Sequence, residues 1–160
     1  MAYITYSAFH ALYPDISEAE FNRYSYDASR LMDAHTTGVD NYRKLSEAYP
    51  SEDEYADEAI KRCCAKLTAL MREIDKAESS AVGYVTRADG TVVSKAVSSI
   101  SSGSESISYS TSGGGSALSA AISDKAARDA LYADTMKAYL SGVTDANGIN
   151  LLYMGAYPNV

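Results

Sequence analysis

The sequence predicts a mainly α protein: a small bundle of about four helices, with an inserted β-hairpin or strand arm and an extended C-terminal arm. Three observations lead there. Apolar residues recur at steps of three and four through three long segments, each opened by a residue suited to capping. Between residues 83 and 112 the period falls to two, the spacing of a strand. From Ala146 to Val160, "ANGINLLYMGAYPNV" carries no charged side chain at all.

The first helix is expected to start at Thr5, to set Phe9, Leu12 and Tyr13 on one side, and to stop before Pro14, because the residue before proline disfavours the helical region. The second opens on "SEAE", a capping box of Ser17 and Glu20. Phe21, Tyr24, Ala28, Leu31 and His35 form its stripe, and Gly38 is expected to end it in the left-handed region. "NYRKLSEAY" then leads to Pro50 and a second capping box, Ser51 with Glu54, opening the longest helix to about residue 79. Its line is Ile60, Cys63, Leu67, Leu70 and Ile74, and the two stripes imply an antiparallel pair. Asp124 caps the fourth helix, with Leu131, Tyr132, Thr135, Met136, Tyr139 and Leu140 inward and Gly142 closing it.

The resulting organisation is one domain over 1–160. Residues 1–80 and 120–142 form the bundle, 83–112 the β arm, 113–119 a Gly/Ser-rich loop and 143–160 the C-terminal arm. "GYVTRADGTVVSKAVSSI" can form a hairpin around Asp89 and Gly90. Residues 98–119 hold eleven serines and four glycines, a composition typical of a linker. Yet "SESISYST" alternates strictly, with Ile107 and Tyr109 on its larger face. So little apolar area does not stabilise an isolated hairpin. Its edges need covering, and neighbouring copies of the chain in a head-to-tail ring would cover them.

The balance of 21 acidic against 14 basic residues, a net charge of -7, repels nucleic-acid phosphates and anionic lipid. No apolar run reaches the roughly 20 residues needed to span a bilayer, and the opening residues lack the pattern of a secretory signal. Adjacent Cys63 and Cys64 suit neither a disulfide framework nor C-x-x-C metal spacing, and Cys63 reads as a small buried residue. "GGG" at 113–115 lacks the lysine and hydroxyl of a phosphate loop. Glu52, Asp53, Glu54, Asp57 and Glu58 read as the solvated first turns of a helix. His10 and His35 make no metal set. The reading assigns no catalytic residue, cofactor or metal. The uncharged ending either folds back over its own bundle or waits as an arm for a partner.

Four stretches, "AYITYSAFHAL", "ISEAEFNRYSYDASRLMDAHTTG", "SKAVSSISSGSESISYST" and "YLSGVTDANGINLLYMGAYP", resemble the head-tail connector, or adaptor, proteins of tailed bacteriophages and prophages, over nearly the whole chain. The resemblance implies a non-enzymatic virion protein located in the neck. Its subunits form a homo-oligomeric ring, usually twelve-fold, beneath the portal protein, joined downstream to a stopper or tail-completion protein, with DNA passing through the lumen unbound. It also implies that the inserted arm engages neighbouring subunits, here through Ile100, Ile107 and Tyr109. The C-terminal arm would dock on the portal through Ile149, Leu151, Leu152, Tyr153, Met154 and Tyr157. A tail-completion or stopper protein of the same neck is the alternative, and a small helical enzyme stands behind both.

Overall fold

The computed structural model of the chain describes residues 2–86, 92–96, 100–102, 105–107 and 117–155, and the side chains of 80–116 are outside the description. The described residues are mainly helical: α1 (Tyr6–Leu12), α2 (Glu18–Thr36), α3 (Lys44–Ala48), α4 (Glu54–Ala81), α5 (Ala117–Ser123) and α6 (Lys125–Leu140). None of these helices is long and apolar enough to cross a membrane. The chain divides into two compact units, Met1–Arg72 with Ala130–Val160, and Glu73–Asp129. Composition changes near 80, 120 and 142 in the sequence, whereas the units divide within α4 and α6.

In the first unit, Thr5 caps α1 by accepting from the Ala8 amide at 3.4 Å. Only Phe9 of that helix is buried; Tyr13 is half-buried and Leu12 exposed. The Phe9 and Phe21 rings lie 5.0 Å apart, joining α1 to the start of α2. The expected capping box is present. Ser17 accepts from the Glu20 amide, and the Glu20 carboxylate accepts from the Ser17 amide at 3.1 Å. The other oxygen of Glu20 accepts from Arg72 Nε of α4 at 3.0 Å. One carboxylate thus starts α2 and ties it to a helix 52 residues further on.

The buried face of α2 keeps Phe21 and Ala28 of the expected stripe and adds Ser25, Ser29, Met32 and Thr36. Tyr24, Leu31 and His35 lie beside it, half-buried. The difference has a physical reason: serine and threonine are small and bond their hydroxyls to their own helix, as Ser29 does to the Ser25 carbonyl at 2.9 Å, so they can be buried without losing a hydrogen bond. On α4 the expected line of Ile60, Cys63, Leu67, Leu70 and Ile74 is buried throughout, joined by Ala56, Cys64, Ala65, Thr68 and Ala69. Glu20 meets Arg72, while Ser29, nine positions later, meets Cys64, eight positions earlier; the two helices therefore run antiparallel. Buried hydroxyls stay satisfied by bonding back to their own helix, Thr36 to the Met32 carbonyl at 2.9 Å and Thr68 to that of Cys64 at 2.8 Å.

Three local expectations need correction. Neither Gly38 nor Gly142 has positive φ; α2 ends instead on Thr37, whose extended backbone bridges to Arg43. Gly38 is needed for space, since a Cβ there would lie 2.9 Å from the Gly155 carbonyl oxygen. At the start of α4 the cap is Asp53, which accepts from the Tyr55 amide at 3.0 Å, while the Ser51 hydroxyl accepts from the Asp53 amide. Asp53 wins because its carboxylate is a stronger acceptor than a hydroxyl and stands one residue before the first helical position.

In the second unit, Val82–Thr86 (β1) pairs antiparallel with Val92–Ala96 (β2), and Ile100–Ser102 (β3) with Glu105–Ile107 (β4). These are two separate two-stranded ladders, so the serine-rich strand does not extend the first pair. Asp89, Gly90, Tyr109 and the 113–115 glycines lie outside the described residues. Residues 117–119, expected as loop, open the short helix α5. Arg128 of α6 donates to the Ala121 carbonyl at 2.9 Å and pairs with Glu78 of α4. A guanidinium at the end of α5 satisfies carbonyls that a helix leaves unpaired. Asp124 caps α6 as expected, accepting from the Ala126 amide at 3.0 Å.

Two predictions test this packing. Glu20→Ala removes both a cap and an ion pair and is expected to cost about 1–2 kcal/mol in urea unfolding, whereas Arg72→Ala, which spares the cap, costs under about 1 kcal/mol; equal losses would assign the whole effect to the ion pair. The second concerns the thiols. Burial pushes the Cys63 thiol from its ordinary 9.0 up to about 12, and burial raises Cys64 in the same direction. Above about pH 9 the unfolded chain therefore holds fewer protons than the folded one, and stability falls as pH rises, by about 1.4 kcal/mol per pH unit from Cys63 alone, with Cys64 acting in the same direction. The stability advantage of the wild type over Cys63→Ala/Cys64→Ala should shrink between pH 8 and 10.5; a constant difference would show that the thiols ionise alike in both states.

Candidate functional site on the C-terminal segment

The turn-forming "DANG" reverses the chain after α6. Asp145 accepts at 2.9 Å from both the Asn147 and the Ile149 amides, and its own amide donates to the Ile149 carbonyl at 2.9 Å. Gly148, at φ 76, supplies the left-handed residue of this turn. The returning strand bridges Thr144 to Asn150, and the Leu151 amide donates to the Val143 carbonyl at 3.0 Å. Asn150 fixes both sides of the return, donating to the Ser141 carbonyl at 2.6 Å and accepting from the Leu152 amide at 2.8 Å.

This geometry sorts the residues that the resemblance singles out. Leu151 is fully buried with Val143 and belongs to the core of the first unit, so it does not present a docking side chain. Ile149 and Leu152 are half-buried. Tyr153 and Met154 are 50% and 51% exposed. Tyr157 lies outside the described residues. The segment is thus held by its own bundle as far as Leu152, and Tyr153 and Met154 beyond it stand about half exposed. In the second unit, Ile100 and Ile107 are Cα partners across β3 and β4, and Tyr109 lies outside the described residues.

Lys44 escapes a sequence reading. It is only 2% exposed, and its Nζ has no hydrogen-bond partner among the described residues. The Tyr153 ring covers it, with the ammonium 5.5 Å from the ring centre. Burial lowers its pKa, opposed by the charges of Asp145 and Asp40. The only signal in the sequence is its neighbour Leu45, also fully buried, in a helix of five residues. Among the described residues no group of three or more His, Cys, Asp or Glu is placed to hold a metal ion. His10 is exposed, 3.3 Å from the Tyr6 hydroxyl, and His35 is half-buried.

A buried ammonium without a hydrogen-bond partner opposes folding. Lys44→Met should therefore raise stability at pH 7 by about 1 kcal/mol or more, read from urea midpoints. The folded chain holds fewer protons at Lys44 than the unfolded one, so wild-type stability rises relative to the variant as pH approaches the ordinary value of 10.5. A variant less stable at every pH would show that the ring contact and the two aspartates outweigh desolvation.

Comparison with protein-family models, with curated proteins and with solved structures finds no match.

Proposed function

We propose that this chain is a structural virion protein, the subunit of a head-tail connector ring that joins the portal to the tail and lets DNA pass. The observation that carries the reading is the exposed pair Tyr153 and Met154, on an uncharged segment anchored by buried Leu151. Two half-exposed large side chains held by a rigid anchor gain when a partner covers the rest of them, by roughly 1 kcal/mol each before the cost of ordering is subtracted. The sequence resemblance names that partner as the portal. The net charge of -7 suits a lumen that does not hold DNA phosphates. Ring joints in this reading use the inserted β arm, with Ile100, Ile107 and Tyr109.

Co-sedimentation with assembled portal tests the proposal. Tyr153→Ser/Met154→Ser should leave the helical circular dichroism unchanged and weaken portal binding at least tenfold. Undiminished binding would move the docking surface elsewhere, and failure of the wild-type chain to bind would end the portal assignment. Binding to a tail-side component in its place would favour a stopper or tail-completion protein.

A further inference from the structure

A cleft of about 780 Å³ opens in the first unit between the second half of α2 and the loop that follows it, with Tyr26, Arg30, Asp33, Thr37, Asn41 and Arg43 among its lining residues. The loop is held tightly. Thr37 bridges to Arg43, the Gly38 amide donates to the Tyr42 carbonyl at 3.2 Å, and Asn41 turns the chain at φ 63. Asp33 is engaged by the Tyr3 hydroxyl. Arg30 and Arg43 are exposed, and neither guanidinium has an ion pair or hydrogen bond among the described residues. In a chain of net charge -7, two unpaired arginines on one cleft mark a place for carboxylates.

The same chain carries the complement. In the acidic run before and into α4, Asp57 and Glu58 pair within the helix with Lys61 and Arg62, and Asp53 caps it. Glu52 and Glu54 remain exposed with no ion pair or hydrogen bond among the described residues, and neither lines the cleft of its own chain. Two free glutamates two positions apart face a demand for two carboxylates. We infer that the Arg30/Arg43 cleft receives Glu52 and Glu54 of a second copy of this chain. Cleft and glutamates are different surfaces, so the contact is head-to-tail, and repetition of it closes a ring or builds a filament. The inference deepens the connector proposal, on which its choice of a second copy rests, by naming a joint distinct from the β arm.

Sedimentation velocity across concentration and salt, with the full chain, tests it together with binding of a peptide of residues 50–58 followed by NMR shifts. Arg30→Glu/Arg43→Glu and Glu52→Arg/Glu54→Arg should each stay folded and each weaken self-association at least tenfold. An equimolar mixture of the two should restore it, because each acidic cleft then meets a basic segment. The peptide should shift resonances lining the cleft in the wild type and not in the arginine variant, with the effect fading at high salt. Wild-type association that survives both pairs of substitutions would overturn this joint and leave the ring standing on another surface. A monomeric wild type whose cleft still takes the peptide would uphold the site and overturn the ring. No peptide shift, or equal shifts from an unrelated acidic peptide, would overturn the assignment of Glu52 and Glu54.

Discussion

The Ser29 hydroxyl is the point on which the first unit depends. It donates to the Ser25 carbonyl at 2.9 Å, and it lies 3.2 Å from the Tyr3 amide and 3.4 Å from Cys64 Sγ. Its one proton goes to its own helix, so it accepts from the Tyr3 amide, and the Cys64 thiol is the donor in their contact. The N-terminal segment, α2 and α4 meet at this one oxygen. They can do so because the facing positions are small: Ser25, Ala28 and Ser29 on one helix, Cys63, Cys64 and Ala65 on the other. A larger residue at Ser29 would separate the helices and leave a buried amide at Tyr3 without its acceptor, a loss of about 1–3 kcal/mol by itself.

From this junction the remaining geometry follows. Tyr3, held by its backbone at Ser29, turns its hydroxyl to Asp33 one helical turn further along α2 and receives the Tyr49 hydroxyl on its carbonyl at 3.0 Å. Burial, reinforced by the Asp33 contact and charge, keeps the Tyr3 phenol protonated far above its ordinary range. The end of α2 then fixes the 37–43 loop, and through the glycine at 38 that loop lies against the backbone of Gly155. The exposure of Tyr153 and Met154 is in this sense a product of the core: the segment is seated by Leu151 and stacked on a loop that the α2/α4 pairing holds in place.

What was legible in the sequence was what periodicity of large apolar residues records. The α4 line from Ile60 to Ile74 and the caps at Thr5, Ser17 and Asp124 stand where their spacing puts them. On α2 only Phe21 and Ala28 were legible; Ser25, Ser29 and Thr36 were not, because serine and threonine count as polar in any hydropathy pattern, and Ser29 and Thr36 are buried here by bonding to their own backbone. Gly38 looked like a helix terminator, but its lack of a side chain serves a contact with a residue 117 positions away, which no local rule contains. The uncharged ending posed a choice between arm and core, and the structure divides it residue by residue: Leu151 inward, Tyr153 and Met154 outward. The arginines of the cleft carried no signal, since a surface arginine without a partner looks in sequence like any other.

The proposed function makes this fold a repeating element in the wall of a ring. Electron cryomicroscopy of the full-length chain mixed with portal tests it most directly. The account predicts closed rings coaxial with the portal, an open central channel, and Tyr153 and Met154 at the portal-facing joint. A portal with no added density, or single copies bound at its periphery without a ring, would contradict it.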